Sequence, residues 1–547
     1  MLPNKSRWTA LLGCALACSV TAFAQTSDSN QALLNLLVRK GIITQDEASA
    51  IQKEAAAEQA AAPTAPVYGA QGAPVSGVST VTTVSTSAAP SSIPTASPGS
   101  GPAYSGAATA GVPVPGSAGG TSPLSFRIGV ANFTPFGFMD FTGVYRNENT
   151  GSAIGTTFNS IPYSNGSTGQ LSETKFSAQN SRVGLRVDTA VDDTKVLGYL
   201  ETDFLGNAAA TLNVTSNAAT LRMRNYFVDL RNGPWEFLAG QDWSMLVPNR
   251  VGISPLPSDI FYTNNMDTNY QAGLTWTRAP QVRVEFHATD GFTLGLSLED
   301  PDQYVGGAAV LPSAFSAAEV DTGAASTQPN IFPDVIGKAA YDTKAINGLP
   351  WHFEVAGIVS SFKINTYSAT VNTDTTAEGE GGSAAINWEL IKGLHLIGTG
   401  FYSYGGGRYL FASGPDFVVT PANSLGAYGI GLVKADSFIA GLEYTVVPED
   451  TVSVYGSEMQ FGKRYDKLAN GSYVGYGYPG SPNSQNKEIY EFTLANTYTF
   501  WKNPNYGALQ LIGQISHIER EPWFVAAGAP SNANANMVWL DLRYVLP

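Results

Sequence analysis

From about residue 125 onward, apolar and polar residues alternate along the chain with a period of two, and clusters of Gly, Asn, Asp, Ser and Pro interrupt the alternation. A period of two places successive side chains on opposite faces of a strand, and such clusters supply turns. Phe292, Leu294, Leu296 and Leu298 point one way while Thr293, Gly295, Ser297 and Glu299 point the other. The pattern repeats in Phe438, Ala440, Leu442, Tyr444 and Val446, in Tyr490, Phe492, Leu494, Tyr498 and Phe500, and in the last strand, Val538, Leu540, Leu542, Tyr544 and Leu546. One apolar and one polar face suits either a soluble sandwich or a membrane barrel.

Connection lengths decide between them. Long connections are expected at 147–172, 207–220, 244–268, 300–332, 366–377, 405–435, 463–486 and 520–533, and short ones at 191–193, 232–234, 289–291, 342–350, 391–393, 448–450 and 502–505. Alternation of short turns with long loops is the asymmetry of outer-membrane barrels. The pattern predicts an all-β, 16-stranded antiparallel transmembrane β-barrel over 125–547, with eighteen strands as the alternative count. The stretch 269–287 enters it as one long strand bent at Pro280, where a bulge tolerates the missing N–H. Trp235, Trp243, Trp351, Trp388, Tyr444, Tyr498 and Tyr544 fall near strand ends, as aromatic girdles at the two interfaces require.

Composition agrees. Only 14% of residues are charged while Gly reaches 57 of 547, and a charge on the lipid face of a barrel costs roughly 2–4 kcal/mol at the midplane. A formal charge of -14 disfavours a nucleic-acid partner, which needs Lys and Arg against phosphates.

Three segments precede the barrel. Residues 1–24 carry Lys5 and Arg7, an apolar run from Trp8 to Val20 and Thr-Ala-Phe-Ala before Gln25, the layout of a secretory signal peptide. A lipoprotein box at Leu11–Cys14 competes, but the apolar run before it is short. Both cysteines, Cys14 and Cys18, lie inside this segment. In 25–58, Leu33, Leu34, Leu37 and Val38 follow helical spacing before Gly41, and Thr44 with Glu47 forms a capping box. This predicts a periplasmic helical hairpin or self-associating coiled coil. Residues 59–124, rich in Ala, Pro, Gly and Ser, contain no Asp, Glu, Lys or Arg and read as a linker.

On the polar face, Arg182 and Arg186 alternate with Val183, Leu185 and Val187. Glu201 and Asp203 follow on the next strand, then Arg222, Arg224 and Tyr226, and later Arg283 with Glu285 beside His287. Two readings stay open. The charges are cross-strand salt bridges that stiffen the wall, or the arginines draw anionic solutes into a pore. The Pro-rich stretch 244–268, with Arg250, Asp259 and Asp267, is stiff enough to fold inward as a constriction, or it caps the outer surface.

The runs Ser181-Arg182-Val183-Gly184, Glu201-x-Asp203-Phe204, Leu221 to Tyr226 and Leu238 to Ser244 resemble the DcaP-like trimeric porins of diderm bacteria. The helical segment before the barrel and the ending Leu542 to Pro547 resemble related porins. The resemblance implies a trimeric sixteen-stranded barrel that passes small, often anionic, organic solutes, with Arg182, Arg222 and Arg224 in its lumen. The final Pro547 departs from the aromatic residue that ends many such proteins.

The sequence therefore points to an outer-membrane porin. Its expected partners are small hydrophilic solutes, outer-membrane lipid, two further copies in a homotrimer and the barrel-assembly machinery. A non-conducting adhesin or structural barrel, or a secreted glycan-active β protein, is the alternative. The chain offers neither a nucleophile elbow nor metal-ligand spacing among His287, His352, His395 and His517, so neither an enzyme nor a cofactor is expected.

Overall fold

The computed structural model describes residues 122–206, 220–260, 264–323 and 329–547. The signal peptide, the helical segment and the linker up to residue 121 lie outside the described residues.

Sixteen antiparallel strands close into a barrel. In chain order they are β1 (Ala131–Arg146), β2 in two pieces (Glu173–Ser177 and Arg182–Val191), β3 (Thr194–Gly206), β4 (Thr220–Asn232), β5 (Trp235–Trp243) and β6 (Arg278–His287). There follow β7 (Phe292–Glu299), β8 (Asp334–Thr343), β9 (Trp351–Tyr367), β10 (Asn372–Ile391) and β11 (Leu394–Tyr404). The last are β12 (Lys434–Val447), β13 (Asp450–Phe461), β14 (Asn486–Asn503), β15 (Gly507–Pro522) and β16 (Ala533–Val545). Each strand pairs with the next, and β16 pairs with β1 from Phe138↔Val545 to Arg146↔Met537. The ladder thus has no edge, which is how a sheet satisfies its backbone in lipid. Among the described residues no helix is long and apolar enough to cross a membrane.

The period of two becomes two surfaces. Val538, Leu540 and Leu542 face out while Trp539, Asp541 and Arg543 are buried in the lumen. Most expected turns form as read. The Asn232-Gly233-Pro234 turn works because Gly233 takes φ 57°, which a side chain resists.

Two expectations about elements are corrected. Residues 269–277 are not part of a bent strand: β6 begins at Arg278, and Tyr270, Ala272, Leu274 and Trp276 are buried inside the barrel. Their near-alternating apolar pattern looks like a strand because the lumen offers them an apolar surface of loop side chains. The stretch 366–377 is not a long loop either. The ladder between β9 and β10 runs unbroken from Trp351↔Trp388 to Tyr367↔Asn372. These strands, of 17 and 20 residues, exceed the roughly 9–11 that cross a bilayer, so their upper parts rise beyond the lipid, where Phe362 and Ile364 are buried under the loop residues Phe417 and Val419 while Asn372, Thr373 and Asp374 are exposed. With no lipid to face, the start of β10 needs no apolar residues, and Asn-Thr-Asp-Thr-Thr mimics a loop.

Two long connections carry small hairpins of their own, Phe417–Thr420 with Gly429–Leu432 and Arg464–Lys467 with Tyr473–Tyr476. The apolar core lies where loops enter the barrel: Phe158, Met245, Leu246, Tyr270, Trp276 and Leu410 belong to one buried cluster with wall residues such as Ile336, Ile439 and Trp539.

Candidate functional site

The connection between β5 and β6 folds inward and spans the lumen. Its prolines and buried apolar residues stiffen it, and polar bonds fasten it to the far wall. Arg250 makes a two-pronged salt bridge to Glu443 on β12, both bonds 2.8 Å, and the Tyr455 hydroxyl donates to the same carboxylate at 2.6 Å. Lys338 on β8 donates to the Val247 carbonyl and to Asn249, each at 2.8 Å, and is ion-paired with Glu354 at 2.9 Å. The Ala272 amide donates to Glu491 on β14 at 2.8 Å, and the Met266 amide to Gln514 on β15. The inward-folded stretch is buried along most of its described length. It extends through Thr277 instead of ending at Thr268.

Asp259 and Asp267 have local roles in this loop. Asp259 accepts from the Ser254 hydroxyl at 2.8 Å, and its own carbonyl accepts from the Arg250 amide at 2.6 Å. Burial raises its carboxyl above the ordinary range, against the Ser254 and Ser258 hydrogen bonds. Asp267 accepts the Thr156 amide with both oxygens, at 3.0 and 3.1 Å, and the Asn269 amide at 2.8 Å. Complete burial pushes it up to about 6, with Arg146 pulling the other way.

On the adjacent wall the charged residues of β2, β3 and β4 form one closed network. Glu201 and Asp203 are fully buried. Arg182 reaches Glu201 at 3.4 Å, and Arg224 reaches Glu201 directly and Asp203 at 2.9 Å. Arg222 grips both oxygens of Asp203, at 2.9 and 2.5 Å. Tyr199 donates to Glu201 at 3.1 Å. The expected basic, acidic, basic order is real, and its first effect is mutual neutralisation. Arg186 stands apart, bound to its strand neighbour Asp188 by two bonds of 2.7 Å. Arg283 pairs with Asp242 at 2.5 Å and approaches Glu285 at 3.5 Å.

Two placements differ from the sequence. Tyr226 does not share the lumen face with Arg222 and Arg224. Between β3 and β4 the register passes from Thr202↔Met223 to Glu201↔Asn225, so Arg224 is an extra residue in a β-bulge. Arg224 and Asn225 are both buried, the alternation flips, and Tyr226 falls opposite the outward-facing Leu200. Trp243 is not in the girdle. It is 1% exposed, with Arg278 over its ring at 5.1 Å and Arg224 at 5.8 Å. Trp235, by contrast, is exposed beside Phe286.

Sequence reasoning missed the second anchored loop. Arg408, in the connection after β11, binds Asp416 at 2.8 Å and also Asp334 at the start of β8, and Tyr409 donates to Asp334 at 2.6 Å. Burial pushes Asp416 up to about 7 even against Arg408. No local signal marks a pair as remote as Arg408 and Asp334.

The outer membrane channel DcaP of Acinetobacter baumannii superimposes with a TM-score of 0.53 over 76% of this chain and 97% of that one, at 17% identity. The barrel shares the DcaP fold. The anion-selective porin from Comamonas acidovorans aligns more distantly, with a TM-score of 0.43 and 14% identity over 76% of this chain and 99% of its own. No family model and no curated protein matches the chain.

Proposed function

We propose that the protein is an outer-membrane diffusion channel for small hydrophilic solutes, with a preference for anionic organic ones. The observation that carries this reading is the loop between β5 and β6, drawn across the lumen and salt-bridged by Arg250 to Glu443 on the opposite wall. A structural barrel has no use for an anchored constriction, whereas a channel needs one to set its bore. The anion preference rests on the adjoining wall, where Arg182, Arg222 and Arg224 gather around Glu201 and Asp203 with Arg278 beside them, a concentration of arginines where screening by salt is weak. The homotrimer, insertion by the barrel-assembly machinery and a periplasmic N-terminal segment belong to the same proposal. A depression of about 560 Å³ lined by Gly382, Ala384, Gly400 and Phe438 lies on the outer face, and small residues of this kind let two membrane surfaces approach closely.

The apolar side chains that enter the lumen favour a second reading, a barrel closed to solutes. Planar-bilayer recording of the full-length protein decides between them. Discrete conductance steps whose reversal potential in a salt gradient favours anions support the channel. A silent bilayer from correctly folded protein ends that reading.

A further inference from the structure

Glu236 on β5 and Glu285 on β6 are directly opposite each other in the ladder, and both are buried in the lumen, 8% and 2% exposed. Like charges in that position repel, and burial strengthens the repulsion. The Glu285 Oε2 atom is buried and has no hydrogen-bond donor, and the buried Asp229 Oδ1 on neighbouring β4 is in the same condition. His287 completes the group. Its Nε2 is 2.9 Å from Glu236 Oε2 and 4.0 Å from Glu285 Oε2, and one ligand atom from each of the three residues lies within 4.8 Å of the others.

The neighbouring cations leave this group undersupplied. Arg231 reaches Glu236 only at 3.5 Å and is 45% exposed, and Arg283 approaches the other oxygen of Glu285 at 3.5 Å while its short bond goes to Asp242. An Nε2–H tautomer of His287 would satisfy Glu236 but would leave Glu285 Oε2 as it is. The other tautomer donates Nδ1–H to the Thr293 hydroxyl, 3.2 Å away, and turns the Nε2 lone pair towards the two carboxylates. That is how a histidine ligand is held by its second nitrogen.

We infer that Glu236, Glu285 and His287 bind a divalent transition-metal ion such as zinc at the short-turn end of the barrel lumen. Bonds of about 2.0–2.2 Å to imidazole and carboxylate span the three residues after small side-chain rotations. The mixed nitrogen and oxygen ligands select zinc or manganese over magnesium and calcium, which prefer oxygen alone. The ion joins β5 to β6 where their side chains otherwise repel, and it adds positive charge beside the pore. The site is independent of whether the channel conducts.

The test uses full-length protein in detergent micelles, stripped with EDTA and dialysed against zinc, with metal measured by elemental analysis. About one zinc per chain is expected, together with a higher melting temperature in zinc than in magnesium. Glu285→Gln keeps the shape of the side chain and His287→Asn removes the nitrogen ligand. Each should abolish stoichiometric zinc while the folded barrel, followed by its mobility on unheated gels, persists. Thr293→Val removes none of the three ligands, only the hydroxyl that orients His287, and should weaken zinc about tenfold. Zinc-free wild type after dialysis, or zinc retained by both ligand variants, would overturn the assignment.

Discussion

Asp267 is a carboxylate held inside a membrane barrel mainly by backbone amides, and it makes stability depend on pH in a defined direction. Its folded value of about 6 lies above the ordinary 3.8, so between those limits the folded state binds more protons than the unfolded one. Stability contributed by this group is therefore present at low pH and is lost as pH rises from about 4 to 6. Asp267→Asn keeps an oxygen for the Thr156 and Asn269 amides and removes the titration. Melting curves of the variant and the wild type should converge near pH 4 and separate near pH 7 with the variant the more stable; parallel curves would show that Asp267 does not titrate in this window. Arg224 is a different case, since it is buried between Glu201 and Asp203. Replacing Arg222 and Arg224 together with Ser leaves two buried carboxylates short of partners, a loss of the order of 3–5 kcal/mol, and also removes positive charge from the wall. Both the melting temperature and the anion-to-cation permeability ratio should fall. An unchanged reversal potential with a lower melting temperature would leave these arginines as wall braces without a part in selectivity.

At the scale of elements, what could be read from the chain follows from what each strand touches. Where a strand has lipid on one side and lumen on the other, as in β7, β12, β14 and β16, the alternation is unambiguous and the outward apolar face is identified correctly. The pattern fails where that contrast is lost. The tops of β9 and β10 have left the lipid, with loop residues packed on one face and water on the other, and residues 269–277 meet protein on nearly all sides. It also fails at Arg224, because a bulge leaves the local sequence alternating while it turns the strand over. The Glu236, Glu285 and His287 group is invisible for another reason, since only the β5–β6 register makes neighbours of residues so far apart in the chain. On its other edge β5 pairs with β4 through Gly240, whose φ of 141° and close approach to Tyr226 leave no room for a Cβ, which would sit 2.2 Å from the Tyr226 carbonyl oxygen. Gly240→Val should therefore break the pairing of β4 with β5. The expected readout is loss of the fast-migrating folded band on unheated gels, and normal assembly of the variant would show that the strand has another way to pass this point.

The loop anchors couple the wall to the bore of the whole molecule. Arg250→Ala removes the loop's ion pair to β12, leaving there the Ser437 bond to the Gly273 carbonyl, and leaves Glu443 buried with only the Tyr455 hydroxyl of its present side-chain partners. The Lys338, Gln514 and Glu491 attachments remain, so the barrel should assemble while the constriction loosens, giving larger and noisier single-channel conductance. Equal conductance would place the narrowest point elsewhere, with the Arg408 anchor the next to test.

The barrel also defines how much of the chain it needs. Its described part begins at Ser122, whose hydroxyl donates to the Pro547 carbonyl at 2.7 Å. The Leu546 amide donates to the Gly137 carbonyl at 3.0 Å, so the ladder between the first and last strands is tied off where they meet. This places the functional start of the barrel a few residues before 125, inside the segment that its composition assigns to the linker. Removing residues 25–121 behind an intact signal should therefore leave a barrel that reaches the outer membrane and changes mobility on heating, since the composition of the charge-free stretch is that of a linker. Extending the deletion through 124 removes the Ser122 bond and should lower the melting temperature slightly, by the equivalent of about 1 kcal/mol. If the shorter deletion abolishes the heat-modifiable form, the N-terminal segment templates assembly, and the barrel is not an independent folding unit.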